Sequence, residues 1–164
     1  MVVLRTGVLE DLDQLIQLHA NAVTAGYRNI FPIDSKPPTA QFLAAAWRTM
    51  LASSDIDVIV AEEAELIVGS VALAPEVSVT SGLLMKRLHV LPARWNRGIG
   101  GELHDKALTT ARGRGANEVN LWVLEENHRA RNMYERRGWQ LCEPRRICAN
   151  EVPTVLDVLY ERHL

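Results

Sequence analysis

Leu88-His89-Val90-Leu91-Pro92-Ala93-Arg94-Trp95-Asn96-Arg97-Gly98-Ile99-Gly100-Gly101-Glu102-Leu103 joins an apolar run to a helical pattern through a short glycine-bearing turn. Leu83 to Leu91 reads as a strand. Ile99, Leu103 and Ala107 then fall on one face of a helix that is expected to end near Gly113 or Gly115. A strand, a tight turn and a helix N-terminus make a place to hold an anion, because the first-turn N–H groups lack helical partners and the dipole favours negative charge. Gly98 and Gly100 would let a ligand come close to the backbone where a Cβ would block it. The spacing is not that of a dinucleotide fingerprint, and the turn lies past mid-chain rather than in a first strand–helix unit. Nor is it a P-loop, since Gly101-Glu102 stand where Lys and Ser or Thr would be needed. A plain strand–helix connection would also carry glycines. Alone, the turn leaves its ligand open, with Arg94 and Arg97 nearby in support of phosphate.

Working outward, Ile56 to Ala61 and Leu66 to Leu73 are short β-branched runs linked by Glu62-Glu63-Ala64-Glu65, which predicts an antiparallel hairpin. Pro75 to Gly82 reads as a loop. Upstream, Val2 to Arg5 predicts a first strand and Glu10-Asp11 open a helix through Leu12, Leu15, Ile16 and His19 that fades near Gly26. Tyr27-Arg28-Asn29-Ile30-Phe31-Pro32 follows as an irregular aromatic connection. Thr39 is placed to cap a second helix running through Phe42, Ala46, Trp47 and Met50. Downstream, Glu118 to Leu124 alternates as a strand, and Asn127 to Arg137 is a short helix stopped at Gly138. Trp139 to Ile147 and Thr154 to Tyr160 read as two closing strands joined around Asn150 and Pro153. The order is that of a mixed α/β (α+β) domain, one unit over residues 1–164.

Composition narrows the classes. A formal charge of −2 gives no bulk electrostatic support to nucleic-acid binding, and no apolar run approaches bilayer-spanning length. The N-terminal residues lack the layout of a signal peptide. Cys142 and Cys148 form neither a disulfide framework nor a C-x-x-C site, so reduced thiols and a cytoplasmic setting are expected. The histidines are scattered without metal-ligand spacing, so no metal is expected.

The second decisive stretch is Leu121-Trp122-Val123-Leu124-Glu125-Glu126-Asn127-His128-Arg129-Ala130-Arg131-Asn132-Met133-Tyr134, followed by Gly138-Trp139. At ~100° per residue, Asn127 and Tyr134 differ by about 20° around the helix and lie two turns apart. An amide, the small Ala130 and a phenol on one face suit a groove that holds a ligand. A helix packing Ala130, Met133 and Tyr134 on the sheet, with Asn127 as its cap, would produce the same pattern.

Together the two stretches resemble the GNAT superfamily of N-acetyltransferases. Arg97-Gly98-Ile99-Gly100 is similar to the family's pyrophosphate turn, and Asn127-x-x-Ala130-x-x-x-Tyr134 to its second acetyl-CoA motif. One departure is Trp95, at a position where the family usually has Gln or Arg. The resemblance implies a mostly antiparallel, splayed central sheet flanked by helices, with acetyl-CoA held between the strands ending near Leu91 and Leu124. It implies that backbone groups of Leu88, His89 and Val90 hold the pantetheine. The amides of Trp95, Asn96, Arg97, Gly98, Ile99 and Gly100 would hold the pyrophosphate, Asn127 would contact the pantetheine region, and Arg131 or Asn132 would approach the outer phosphates.

The implied chemistry is direct attack of a primary amine on the thioester, with Val90 N–H stabilising the oxyanion and Tyr134 protonating the departing thiolate. Family members often carry a glutamate near Leu84, absent here, which leaves His89, Glu125 or a water chain for the proton, Glu125 favouring contact with the amine. Tyr27, Phe31 and Trp122, with Trp47, are expected around a small-molecule or peptide acceptor, although these rings would equally serve as packing. The resemblance allows a homodimer. A non-catalytic acyl-CoA sensor and transfer of a longer acyl group are the competing readings.

Overall fold

The β-branched runs flanking Ala64-Glu65 pair as an antiparallel hairpin, β2 (Asp57–Glu63) and β3 (Leu66–Pro75), about a two-residue turn with positive φ at both positions. Gln14 braces that turn, donating to Glu65 O at 3.2 Å and accepting from Ile67 N at 2.8 Å. The computed structural model describes residues 1–75, 82–147 and 155–164. The expected loop residues 76–81, the turn around Asn150 and Pro153, and Cys148 lie outside them.

The remaining elements are β1 (Val3–Thr6), α1 (Leu12–Gly26), α2 (Ala40–Ala52), β4 (Gly82–Val90), α3 (Ile99–Gly113), β5 (Glu118–Leu124), α4 (His128–Arg136), β6 (Gln140–Ile147) and β7 (Leu156–His163). They form a mixed α/β fold around a seven-stranded sheet of order β1-β2-β3-β4-β5-β7-β6, antiparallel except between β4 and β5. The final strand inserts between β5 and β6, leaving β6 at the edge. Among the described residues no helix is long and apolar enough to cross a membrane.

Strand alternation divides the core. Val58, Val60 and Ala72 face α1 and α2, where Leu15, Leu18, Leu43 and Trp47 are fully or almost fully buried. Ile59, Ala61, Val71 and Leu73 face Leu103, Ala107 and Ala111 of α3. Each large side chain buried in this way stabilises the fold by roughly 1.5–3 kcal/mol. Thr39 caps α2 as expected, its hydroxyl accepting from Phe42 N at 3.2 Å. Arg5 forks onto Asp11 at 2.7 and 2.8 Å and also reaches Glu62, which ties the start of α1 to β1 and β2.

Helix α3 comes unusually close to the sheet at Gly69. A Cβ there would stand 2.8 Å from Leu103 Cδ1 and 3.1 Å from His89 O. Gly69→Ala should therefore lower stability by roughly 1–3 kcal/mol through overpacking. Urea denaturation measures it, and a midpoint equal to wild type would contradict this packing.

Candidate active site

β4 and β5 run side by side only at Gly82–Leu84 against Glu118–Asn120, and no pairing continues beyond Leu84. β4 slips register against β3 between Ser70 and Ala72, with Arg87 at φ 56°. Such a bulge bends its strand, and here it turns β4 away from β5. Leu91 N–H donates to Val68 O at 2.9 Å. The alternation of an antiparallel ladder then points the N–H and C=O of Val90 to the opposite, open side.

The turn after β4 supplies the mouth of the cleft. Gly98, at φ 84°, is the N-cap of α3, with no side chain capping the helix. A Cβ on Gly98 would meet nothing within 4 Å, and one on Gly100 would touch only Val90 Cγ2 at 3.6 Å. Backbone conformation accounts for glycine at 98; nothing in the protein's own packing accounts for it at 100. The expected charge support is not free: Arg94 and Arg97 both pair with Glu63, at 2.6 and 3.1 Å, and hold its carboxyl below the usual range.

Trp95 folds back into the cleft. Its Nε1–H donates to Val90 O at 2.8 Å, and its ring lies under the Arg129 guanidinium, 3.6 Å from Cζ to centroid. Arg129 has no carboxylate in ion-pair distance among the described residues, and partial burial lowers its pKa. This side chain was not legible as a site residue; the one signal was an aromatic ring at 95 able to stack with a cation. Arg131, by contrast, turns away. It donates to Glu125 O and Tyr160 Oη at 2.8 and 3.0 Å and lines no part of the cleft. Asn132 lies in an adjoining groove with Arg136 and Arg137, which shares Arg129 and Met133 with the cleft. Glu125 is paired with Arg145 at 2.8 Å and also stands outside the cleft.

Two cavities meet in the cleft. One, of about 380 Å³, is bounded by the turn from Arg94 to Gly101 without Arg97, and by Leu88 to Val90 and Arg129. The other, of about 210 Å³, is bounded by Tyr27, Phe31, Trp122, Arg87 and Asp157. Leu88, His89, Asn127, Ala130, Tyr27 and Tyr134 belong to both. Asn127 caps α4 through Oδ1, which accepts from Ala130 N at 3.2 Å, so it is cap and cleft residue at once. Trp47 is fully buried in the α2 core and lines neither cavity.

Tyr134 sits where the cavities join, its ring 5.7 Å from Trp139 and 6.4 Å from Tyr160, with no hydrogen bond to its hydroxyl among the described residues. Burial, then the nearby Tyr27, raises its pKa well above that of a free phenol. His89 is held neutral: burial, then His19 and Arg87, drive its pKa well below the ordinary value. Burial and then Arg87 likewise lower His19 to about 4.

Residues 21–139 match the model of the acetyltransferase (GNAT) family. A 52-residue stretch is 46% identical to mycothiol acetyltransferase of Beutenbergia cavernae, covering 32% of this chain and 18% of that protein, so the chain spans less than a fifth of that relative's length in the match. The fold is similar to PaiA N-acetyltransferase from Thermoplasma acidophilum in complex with coenzyme A, with TM-score 0.81 and 17% identity over 100% of this chain and 99% of that one. It is similar too to ribosomal-protein-alanine N-acetyltransferase from Brucella melitensis, with TM-score 0.78 and 15% identity over 99% of both chains.

All three tyrosines have raised pKa values, Tyr27 to about 12 through burial and then Asp157, and Tyr160 through burial and then its bond to Glu135. An ultraviolet titration of the folded protein should give no tyrosinate step near the ordinary value of about 10. The sign follows: the protonated phenols contribute full stability below that pH, and stability falls as pH rises past it toward the folded-state values. A tyrosinate step at the ordinary value before unfolding would contradict the burial.

Proposed function

The chain belongs to the acetyltransferase (GNAT) family, and from that premise we propose that it moves the acetyl group of acetyl-CoA directly to a primary amine within a ternary complex. The observation that carries this reading is the Tyr134 hydroxyl, without a hydrogen-bond partner among the described residues, at the junction of the two cavities. The larger cavity takes the CoA side and the smaller one the acceptor.

The open edge of Leu88 to Val90 offers backbone groups to the pantetheine. The first-turn amides of α3 at Ile99, Gly100 and Gly101 receive the pyrophosphate, aided by the helix dipole. Glu63 pairs with both Arg94 and Arg97, which leaves that trio one net positive charge, and Arg129 adds a second cation for the phosphates, in place of Arg131. The free Cβ space at Gly100 supports a ligand pressed against the backbone there.

Val90 N–H stabilises the developing oxyanion, and Tyr134 gives its proton to the departing thiolate. Glu125 has no part in the transfer, and His89, with its lowered pKa, is a poor base. Asp157, the one carboxylate among the described residues lining the acceptor cavity, is paired with Arg146 at 3.2 Å. The amine therefore reacts as the free base after losing its proton to solvent. Proximity of the two reactants supplies much of the rate.

Tyr134→Phe should lower kcat roughly 100-fold or more while leaving acetyl-CoA affinity close to wild type. In the wild type, kcat/KM should climb with pH toward the pKa of the amine, with no fall assignable to Tyr134 below about pH 10. Unchanged turnover by a folded Tyr134→Phe would remove the residue from this role. Gly100→Ala separates ligand contact from packing. Relieving a helical glycine should keep or raise stability by up to about 1 kcal/mol, yet titration calorimetry should show a clear loss of CoA affinity. Retained affinity would mean that no ligand approaches the backbone at this turn.

A further inference from the structure

The face of β4 toward α1 and α2 carries a polar cluster for which the proposed transfer has no use. Arg87 Nη1 donates to His19 Nδ1 at 2.9 Å, and its guanidinium lies 4.8 Å from the centroid of the Trp47 ring. The His19 ring is 4.4 Å from that of His89 and 6.1 Å from that of Trp47. These side chains come from α1, α2 and β4, so the tertiary fold has gathered them.

The cluster is rich in donors and poor in acceptors. A guanidinium has five N–H groups and cannot shed its charge. Arg87 has one side-chain hydrogen-bond partner, a neutral imidazole, and among the described residues no carboxylate lies within ion-pair distance. Trp47 Nε1 and His89 Nε2 are both buried without a partner. Buried polar groups are nearly always satisfied, and a desolvated cation without a counter-ion is unfavourable. Trp47 lines neither cavity, so the shortfall that a ligand can meet is that of Arg87 and His89, and it asks for one negative group.

The cluster also has access to a cavity. Arg87 and His89 both line the acceptor side, together with Lys86. Asp157 does not meet the need, because Arg146 already pairs with it at 3.2 Å. Arg87 is further held by its backbone, at φ 56°, with its carbonyl accepting from Ser70 Oγ at 3.1 Å.

We propose that Arg87, with His89 beside it, forms an anion subsite, so that the acceptor is a primary amine that also bears a carboxylate, an amino-acid-like compound. This rests on the acetyl-transfer reading above and narrows its acceptor. The aromatic walls at Tyr27, Phe31 and Trp122 suit an apolar remainder of the molecule.

The test compares L-amino acids with their own amides as acceptors, using the full chain and saturating acetyl-CoA and following thiol release. The acid should exceed its amide in kcat/KM by about tenfold or more, mainly through KM, since a site built for a polar group rejects the analogue that lacks it. Arg87→Gln should bring that ratio to about one, and Arg87→Lys should keep part of it. A mere strut between β4 and the helices would lower acid and amide together and leave the ratio unchanged. Amides as good as acids in the wild type overturn the proposal without any variant, which covers the case of an Arg87→Gln that fails to fold. If CoA binds but no amine is acetylated, the transfer reading has failed. The subsite is then judged by titrating N-acetyl amino acids and N-acetyl amino-acid amides into CoA-loaded protein. Preferential binding of the acids supports it, and equal or absent binding overturns it.

Discussion

The backbone of Met85–Val90 has no strand to pair with on its β5 side, because the parallel ladder ends at Leu84 opposite Asn120. A sheet interior leaves polar backbone exposed at an internal edge only if something else is to use it. The rest of the molecule accommodates this opening. The bulge at Arg87 bends β4 away, α3 begins directly after it, and α4 crosses over the gap with Tyr134 facing in. Trp95 takes one of the exposed acceptors, Val90 O, and leaves the N–H beside it.

Charge is distributed to match. Glu63 pairs with both arginines of the turn and offsets one of their two charges, so the larger cavity keeps positive charge at Arg94 and Arg129 beside the N-terminus of α3. The stack of Arg129 on Trp95 joins the turn to α4 across the mouth, so the departure from the family pattern at Trp95 is coupled to a second residue 34 positions away in the chain.

Much of this was legible in the sequence, for identifiable reasons. Helical spacing placed Asn127, Ala130 and Tyr134 on one face, and period and turn chemistry located the β2–β3 hairpin, the cap at Thr39 and the stop at Gly138. Local spacing does not give the partners of long side chains when these lie far away in the chain. Arg131 is captured by Tyr160, Glu125 by Arg145, and Arg97 by Glu63, each through an ion pair or hydrogen bond that no local spacing announces. Trp47 looked like a pocket residue because an aromatic near a ligand loop and an aromatic in a helix core have the same local signature. The Arg87–His19 bond spans 68 residues and depends on the bulge, and the insertion of β7 beside β5 was equally beyond local reading.

The two ends of the cleft both favour negative charge, whereas the middle is neutral. Leu88, Ala130, Asn127 and the protonated Tyr134 carry no charge there, and His89 is held uncharged by burial among cationic and imidazole neighbours. That arrangement suits a reaction in which an uncharged amine meets an uncharged thioester. A carboxylate in the middle would hold the amine as an ammonium ion, unable to attack, and a cation there would repel the ammonium that forms on attack. Asp157 and Glu125, each bound to an arginine, leave the centre free of both problems. Tyr134 keeps its proton for the same reason that the centre stays neutral, since the burial that excludes charge also raises the phenol's pKa.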